Sequence, residues 1–406
     1  MKICLDTLGC KLNQAETELL ARRLSEDGHV LVSRAEPADA YILNTCTVTG
    51  VADAKCRRLL RQARRRNPGA LVIAAGCYAQ RAPDELSRMD AVDMVVSNDG
   101  KVDLPAVLGD LAPATGAIPA STAPPYVPAM PKTRSFVKIQ DGCTSGCAYC
   151  IVPKVRGHET SLFPDQVVAE VASREAEGYR EVVLTGTKVG TYRYGGFDLV
   201  GLLERILAGT GIARLRLSSL QPQELSPELV RLWGDARLCP HFHLSLQSGS
   251  DRTLQRMRRR YLAAGYRRAV EMLREHVPHA AITTDIIVGF PGETDDDFEE
   301  SYRFCQGIGF ARIHVFPFSA RPGTEAAGLD NEVDGGTRKE RTRSMLALAA
   351  ESARRFREQL SGSTVTVLWE RQDRQGWWTG VTENYLRVHT RSREDLANRL
   401  QPVTLP

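Results

Sequence analysis

The sequence predicts an α/β chain in three parts. These are an N-terminal parallel α/β domain at 1–110, a partial barrel of six β/α units at 133–360, and a small all-β tail at 361–406. Three observations predict it. Short apolar runs alternate with helical stretches in two series, which is the pattern of parallel sheets. Between the series, residues 111–132 hold six prolines among small residues, a density that no helix or central strand survives, so they read as an extended linker. After the long basic helix expected at 337–360, the periodicity turns to strands.

In the first series, 2–8, 40–44 and 70–75 read as strands, and 14–27 and 51–66 as helices. The second series offers strands at 135–140, 181–185, 213–218, 241–247, 281–288 and 312–318, with helices such as 164–178, 262–276 and 294–307 between them. Six units make an open version of the eight-unit barrel, whose active site gathers where the strands end. The tail reads as strands at 363–371 and 377–389.

Length and composition set the limits. A chain of 406 residues exceeds one ordinary core, and 42% apolar with 25% charged residues is ordinary for a soluble globular protein. The net charge of +4 would not by itself suggest nucleic acid. No apolar run is long enough to span a bilayer, and the N-terminus meets Asp6 before any signal-like apolar stretch, so a cytoplasmic protein without a membrane partner is expected. In a reducing compartment the ten cysteines call for metal ligation, catalysis or core packing rather than disulfides.

Their positions sort them. Cys143, Cys147 and Cys150 form a C-x3-C-x2-C loop directly after the first barrel strand. Three thiolates on a four-iron cluster leave one iron open to a small molecule. A zinc site would want a fourth ligand, and His158 lies eight residues on, past Pro153. Cys10, Cys46 and Cys77 each close an apolar run in the first series. The C-terminal strand ends of a parallel sheet share one edge, so these three would converge there. A second cluster or three buried core cysteines both fit that reading. Cys4, Cys56, Cys239 and Cys305 lack such placement and read as core.

The chain resembles the methylthiotransferases, radical S-adenosylmethionine (SAM) enzymes that install a methylthio group on a transfer RNA or a ribosomal protein. The resemblance covers nearly the whole length. It rests on Leu8-Gly9-Cys10-Lys11-Leu12-Asn13-Gln14-Ala15-Glu16-Thr17, Asn44-Thr45-Cys46-Thr47-Val48, Gly76-Cys77-Tyr78-Ala79-Gln80 and the Cys143 loop with Ile151-Val152-Pro153 and Arg156-Gly157. Later matches are His243-Leu244-Ser245-Leu246-Gln247-Ser248-Gly249-Ser250, Thr284-Asp285 through Gly289-Phe290-Pro291-Gly292-Glu293-Thr294, and Ser319-Ala320-Arg321-Pro322-Gly323-Thr324. It implies two 4Fe-4S clusters, one on each cysteine triad, with SAM on the open iron of the Cys143 cluster. It further implies an electron donor of flavodoxin or ferredoxin type; no motif names the sulfur source. Gly9-Cys10-Lys11, Asn13-Gln14 and Glu16-Thr17 resemble the branch acting on N6-threonylcarbamoyladenosine beside the tRNA anticodon. The resemblance also implies an RNA-binding β-barrel tail of the TRAM type, with Trp378–Tyr385 in its core and one strand more than the chain provides.

Under that reading, further SAM contacts are expected at the strand ends. Gly186 and Thr187 follow the second strand, and Gly186 would let the backbone approach the methionyl group. Ser218, Gln247 and Asp285 sit on the third, fourth and fifth strands, and Tyr149 would flank the adenine. Glu293 is expected to cap the helix from Thr294 rather than touch SAM. His241 and His243 share a strand face as a possible metal pair, but no third ligand is evident, so barrel packing is preferred. For tRNA, residues 54–66 hold seven basic residues and no acid in a domain of fifteen basic and fifteen acidic residues, and Arg57, Arg61 and Arg64 share one helical face. A solvated face is the plain alternative, and the 337–360 helix carries a second basic set. The rival functions are modification of a ribosomal-protein aspartate and a non-catalytic iron–sulfur RNA-binding or redox-sensing protein.

Overall fold

The computed structural model describes residues 1–111 and 133–406, so the expected linker lies outside the described residues except for Leu111. The chain divides into two compact units, one holding the N-terminal region together with Ile151–His158, the other the remainder of the barrel region and the tail. The segment just after the Cys143 loop therefore belongs to the N-terminal unit.

That unit contains β1 (Lys2–Thr7), α1 (Lys11–Glu26), β2 (Val30–Val32), β3 (Ala40–Thr45), α2 (Gly50–Arg66), β4 (Leu71–Gly76) and β5 (Met94–Val96). All pairings are parallel, in the order β2-β1-β3-β4-β5. Every residue of central β3 is buried, as expected of a strand covered on both faces. The edge strands β2 and β5 escaped the sequence reading because three half-exposed residues carry no periodicity. Thr49 caps α2 by accepting the Ala52 amide at 3.2 Å.

In the second unit, six parallel strands follow one another around an open barrel. They are β6 (Arg134–Lys138), β7 (Glu181–Thr185), β8 (Arg214–Leu217), β9 (His241–Leu244), β10 (Ala281–Val288) and β11 (Arg312–Pro317). β8 pairs with β7, and its continuation Ser219–Leu220 pairs with β9, so the layer bends at Ser218. Among the described residues β6 and β11 do not pair, so the barrel stays open. Helices including α3 (Pro164–Ala176), α4 (Leu199–Gly209), α5 (Ala263–His276) and α6 (Asp295–Ile308) pack outside, against one continuous core with Leu184, Leu215, Phe242, Ile282 and Ile313.

The long helix α7 (Gly335–Gln359) leads into β12 (Thr364–Gln372), β13 (Trp377–Thr382), β14 (Arg387–Arg391) and β15 (Leu400–Thr404), an antiparallel sheet ordered β14-β13-β12-β15. The strand expected at 377–389 is thus two. Thr382 and Leu386 close a hairpin, with Tyr385 at φ +70° in its turn. Trp369, Trp378 and Val388 pack there with Phe356 and Leu360.

The tail covers the N-terminal ends of barrel strands. Glu181 is fully buried and bound by Arg216 through two bonds of 2.8 and 3.0 Å. Arg216 also donates to the Glu383 carbonyl at 2.9 Å, and Arg214 to that of Val381 at 3.0 Å. Both arginines are buried yet paired, the condition for tolerating charge in a core.

Candidate active site

In the N-terminal unit, Cys10 follows β1, Cys46 follows β3 and Cys77 follows β4, on neighbouring strands of one sheet. Two asparagines and a threonine tie the three ends together. Asn13 donates to the carbonyls of Leu8 and Thr45, both at 2.9 Å, and Asn44 donates to the Asn13 carbonyl at 3.0 Å. The Thr45 hydroxyl donates to the Ala75 carbonyl at 2.6 Å and accepts from the Tyr78 amide at 3.1 Å. Two glycines permit the approach. A Cβ on Gly9, at φ +124°, would lie 2.8 Å from the Cys46 Cβ and 3.1 Å from its Sγ. One on Gly76, at φ +95°, would lie 2.4 Å from the Asn44 side chain. Cys10 is exposed, whereas Cys46 and Cys77 are buried. Burial pushes the Cys46 thiol up to about 12, with the Cys10 and Cys77 thiols raising it further against the Val48 amide. Metal ligation must therefore displace a proton there. Arg156 braces the α1 start, reaching Asn13 Oδ1 at 2.6 Å and Glu16 at 2.9 Å.

In the barrel unit, the second triad leaves β6 on a loop held by its own backbone and by Met257. The Cys150 amide donates to the Cys147 carbonyl at 3.0 Å, the Ser145 amide to the Cys143 sulfur at 3.4 Å, and the Ala148 amide to Met257 at 3.1 Å. Arg259 lies 3.4 Å from both the Cys147 sulfur and the Tyr149 hydroxyl. Burial holds the Tyr149 phenol far above its ordinary pKa, so it stays neutral. A guanidinium beside a ligand sulfur offsets thiolate charge, and sequence reasoning missed it because Arg259 sits in an undistinguished run, Arg258-Arg259-Arg260.

The other expected contacts land variously. Ser218 is buried and its hydroxyl has no hydrogen-bond partner. Gln247 holds φ +72°, and its backbone bonds to Asp285 and Ile287 in β10 at 2.8 and 2.9 Å. That conformation costs about 1–3 kcal/mol and gathers at functional sites. Thr187 donates to Asp141 at 3.3 Å. Gly186 answers a different need from the one expected. A Cβ there would lie 2.8 Å from both the carbonyl and the side-chain oxygen of Gln140, so the missing side chain makes room for Gln140. Asp285 faces His243 at 3.3 Å. Glu293 is not the cap, which is Thr294 with Asp297; it accepts from the Gly289 amide at 2.9 Å and pairs with Arg341 at 2.8 Å. A buried pair absent from the expectations, Lys188 and Glu224 at 3.4 Å, follows β7. Burial raises the Glu224 carboxyl, and Lys188 opposes the shift.

The basic strip is divided between paired and exposed cations. Arg57 is bonded to Tyr78 and to Glu85 at 2.8 Å, and Arg64 to Asp93 and the carbonyls of Pro68 and Ala70. Helical spacing did place them on one side, but that side meets acids of the same unit. Exposed cations on α2 are Lys55, Arg58, Arg61, Arg65 and Arg66. On α7, Arg341, Arg354 and Arg355 pair with Glu293, Glu358 and Glu351.

Comparison with known proteins supplies the family. Residues 137–305 match the radical SAM superfamily and residues 2–97 the uncharacterized protein family UPF0004. A threonylcarbamoyladenosine tRNA methylthiotransferase MtaB of Aquifex aeolicus is 37% identical, covering 96% of each chain. One of Bacillus subtilis is 33% identical over 99% of this chain and 93% of its own. The chain belongs to the radical SAM methylthiotransferase family. A tRNA-2-methylthio-N(6)-dimethylallyladenosine synthase of Sorangium cellulosum, 36% identical over 94% of this chain and 86% of its own, stands in the same family. In fold, the chain is similar to the radical SAM methyltransferase TsrM of Kitasatospora setae, with TM-score 0.60 and 14% identity over 93% of this chain and 80% of that one.

The protein is therefore a radical SAM enzyme using SAM and two 4Fe-4S clusters. Its residues fit that set. Each triad offers three thiolates, the donor set that a four-iron cluster with one open iron takes. No helix among the described residues is long and apolar enough to cross a membrane.

Proposed function

We propose that this enzyme converts N6-threonylcarbamoyladenosine beside the tRNA anticodon to its 2-methylthio derivative. The observation that carries the reading is the near end-to-end likeness to relatives bearing that activity in their names. We assign one cluster to Cys143, Cys147 and Cys150 and the other to Cys10, Cys46 and Cys77. When bound, the first cluster with SAM supplies a radical able to take hydrogen from an unactivated ring carbon, and the second supplies sulfur.

The chain's own part is to bind, orient and shield. Ser218, whose buried hydroxyl has no hydrogen-bond partner, and Gln247, held at positive φ, would bind SAM, together with Thr187 and with Tyr149 of the cysteine loop. Arg259 balances charge at Cys147. Exposed Arg58, Arg61 and Arg65 on α2 would contact tRNA phosphates, which supply affinity without reading sequence. A donor of flavodoxin or ferredoxin type would deliver the electron.

Nucleoside mass spectrometry of tRNA from cells with and without the gene tests the reading. The 2-methylthio-threonylcarbamoyl nucleoside should vanish without the gene. Loss of a methylthiolated dimethylallyladenosine, or of a modified ribosomal-protein aspartate, would replace the substrate while leaving the chemistry.

A further inference from the structure

Three parallel strands bring two imidazoles and a carboxylate together on the barrel's inner face. In the ladder, His243 of β9 stands opposite Thr283 of β10, and Asp285 of β10 stands opposite His314 of β11. The two-residue period of a strand then puts His243, Thr283, Asp285 and His314 on one face. Phe242, Leu244, Ile282, Ile286 and Ile313 occupy the other, in the core beneath the helices. His243, Asp285 and His314 each present a ligand atom within 4.8 Å of the other two.

The spacing is that of metal ligands. Nε2 of His243 lies 3.3 Å from Oδ2 of Asp285. An ion bound at about 2.0–2.1 Å in a tetrahedron sets neighbouring donors about 3.3 Å apart, so two ligands already stand at coordination distance from each other. The far nitrogen of His243, Nδ1, is 3.0 Å from the Thr283 hydroxyl. A partner on that nitrogen is how ligating histidines have their tautomer and ring orientation fixed. His314, whose ring centroid lies 5.9 Å from that of His243, completes the set. His241, which shares the strand face of His243, instead stacks on Tyr385 of the tail with centroids 4.6 Å apart.

We propose that His243, Asp285 and His314 bind one divalent first-row transition ion, separate from the cysteine triads. Two imidazoles and a carboxylate suit zinc or ferrous iron and leave coordination positions open. Those positions lie on the inner surface of the strand layer. The donor chemistry separates this site from the clusters, because it contains no sulfur.

Zinc is the probe. Anaerobically reconstituted holoenzyme, with its iron content verified, is incubated with zinc, desalted, and analysed by elemental mass spectrometry and zinc K-edge X-ray absorption. No RNA is present, so the outcome is independent of the substrate assignment. About one zinc per chain should remain, with nitrogen and oxygen donors at about 2.0–2.1 Å and no sulfur shell near about 2.3 Å. His314→Ala should lose that zinc with its cluster iron intact, and Thr283→Val should weaken zinc binding by about 10–100-fold. If His314→Ala also loses iron, His314→Asn takes its place. Absence of bound zinc in the parent, a sulfur-dominated shell, or full zinc retention by the His314 variants would overturn the proposal and leave a hydrogen-bonded His–Asp pair.

Discussion

The two cysteine triads assemble the same three-thiol donor set by opposite routes. Cys143, Cys147 and Cys150 come from one eight-residue loop, held by bonds between near neighbours such as the Cys150 amide and the Cys147 carbonyl. Cys10, Cys46 and Cys77 come from three strands of a parallel sheet, and the side chains of Asn13, Asn44 and Thr45 lash those ends together. The difference teaches where preorganisation resides. A loop site brings its thiols together within one short segment, and Met257 and Arg259 brace it from outside. The distributed site exists only once the sheet has formed, so its metal affinity is coupled to the folding of its unit.

That contrast can be broken by mutation, beginning with the largest expected effect. Replacing Cys143, Cys147 and Cys150 with Ala should abolish 5′-deoxyadenosine production from SAM by the reduced protein, read by chromatography. Production at more than about a thousandth of the parent rate, some 4 kcal/mol of barrier, would mean the radical arises elsewhere. Cys46→Ala should be the mirror image, cleaving SAM within a few-fold of the parent but making no methylthiolated nucleoside. Normal product formation would remove the N-terminal triad from sulfur transfer.

Gly9→Ala is the gentler probe of the distributed site. The new methyl would press on the Cys46 side chain at a backbone angle that L residues rarely adopt. A cost of about 1–3 kcal/mol should loosen the N-terminal cluster and leave the loop cluster alone, visible as faster loss of half the iron to a chelator. Equal loss from both sites would refute the idea that the glycine serves the triad. Smallest should be the tRNA effect. Arg58→Ala/Arg61→Ala/Arg65→Ala should weaken binding and flatten its salt dependence by about one unit of slope for each phosphate no longer neutralised. The Arg57→Ala/Arg64→Ala protein should instead lose thermal stability, since those side chains hold Glu85 and Asp93.

Much of this was legible in sequence, for physical reasons. The C-x3-C-x2-C loop declares itself because its ligands are local. The second triad was legible only through strand-end placement plus the family resemblance, since spacing alone left core packing open. What stayed hidden depends on partners far apart in the chain. Arg259 reaches Cys147 across 112 residues, and Gln140 fills the space beside Gly186 from the first strand. Arg57 and Arg64 show the converse limit, because helical spacing shows which side chains share a face and not that Glu85 and Asp93 stand against it. Glu181, buried beneath three arginines and the tail, gave no sign in a strand that otherwise reads as apolar.

Iron counting on reciprocal variants tests the central claim most directly. Reconstituted parent should carry about eight irons, and either triple variant, Cys10→Ala/Cys46→Ala/Cys77→Ala or Cys143→Ala/Cys147→Ala/Cys150→Ala, about four. Only the first variant should still cleave SAM. A parent holding about four irons, or a triple variant that keeps about eight, would contradict two independent clusters on these six cysteines.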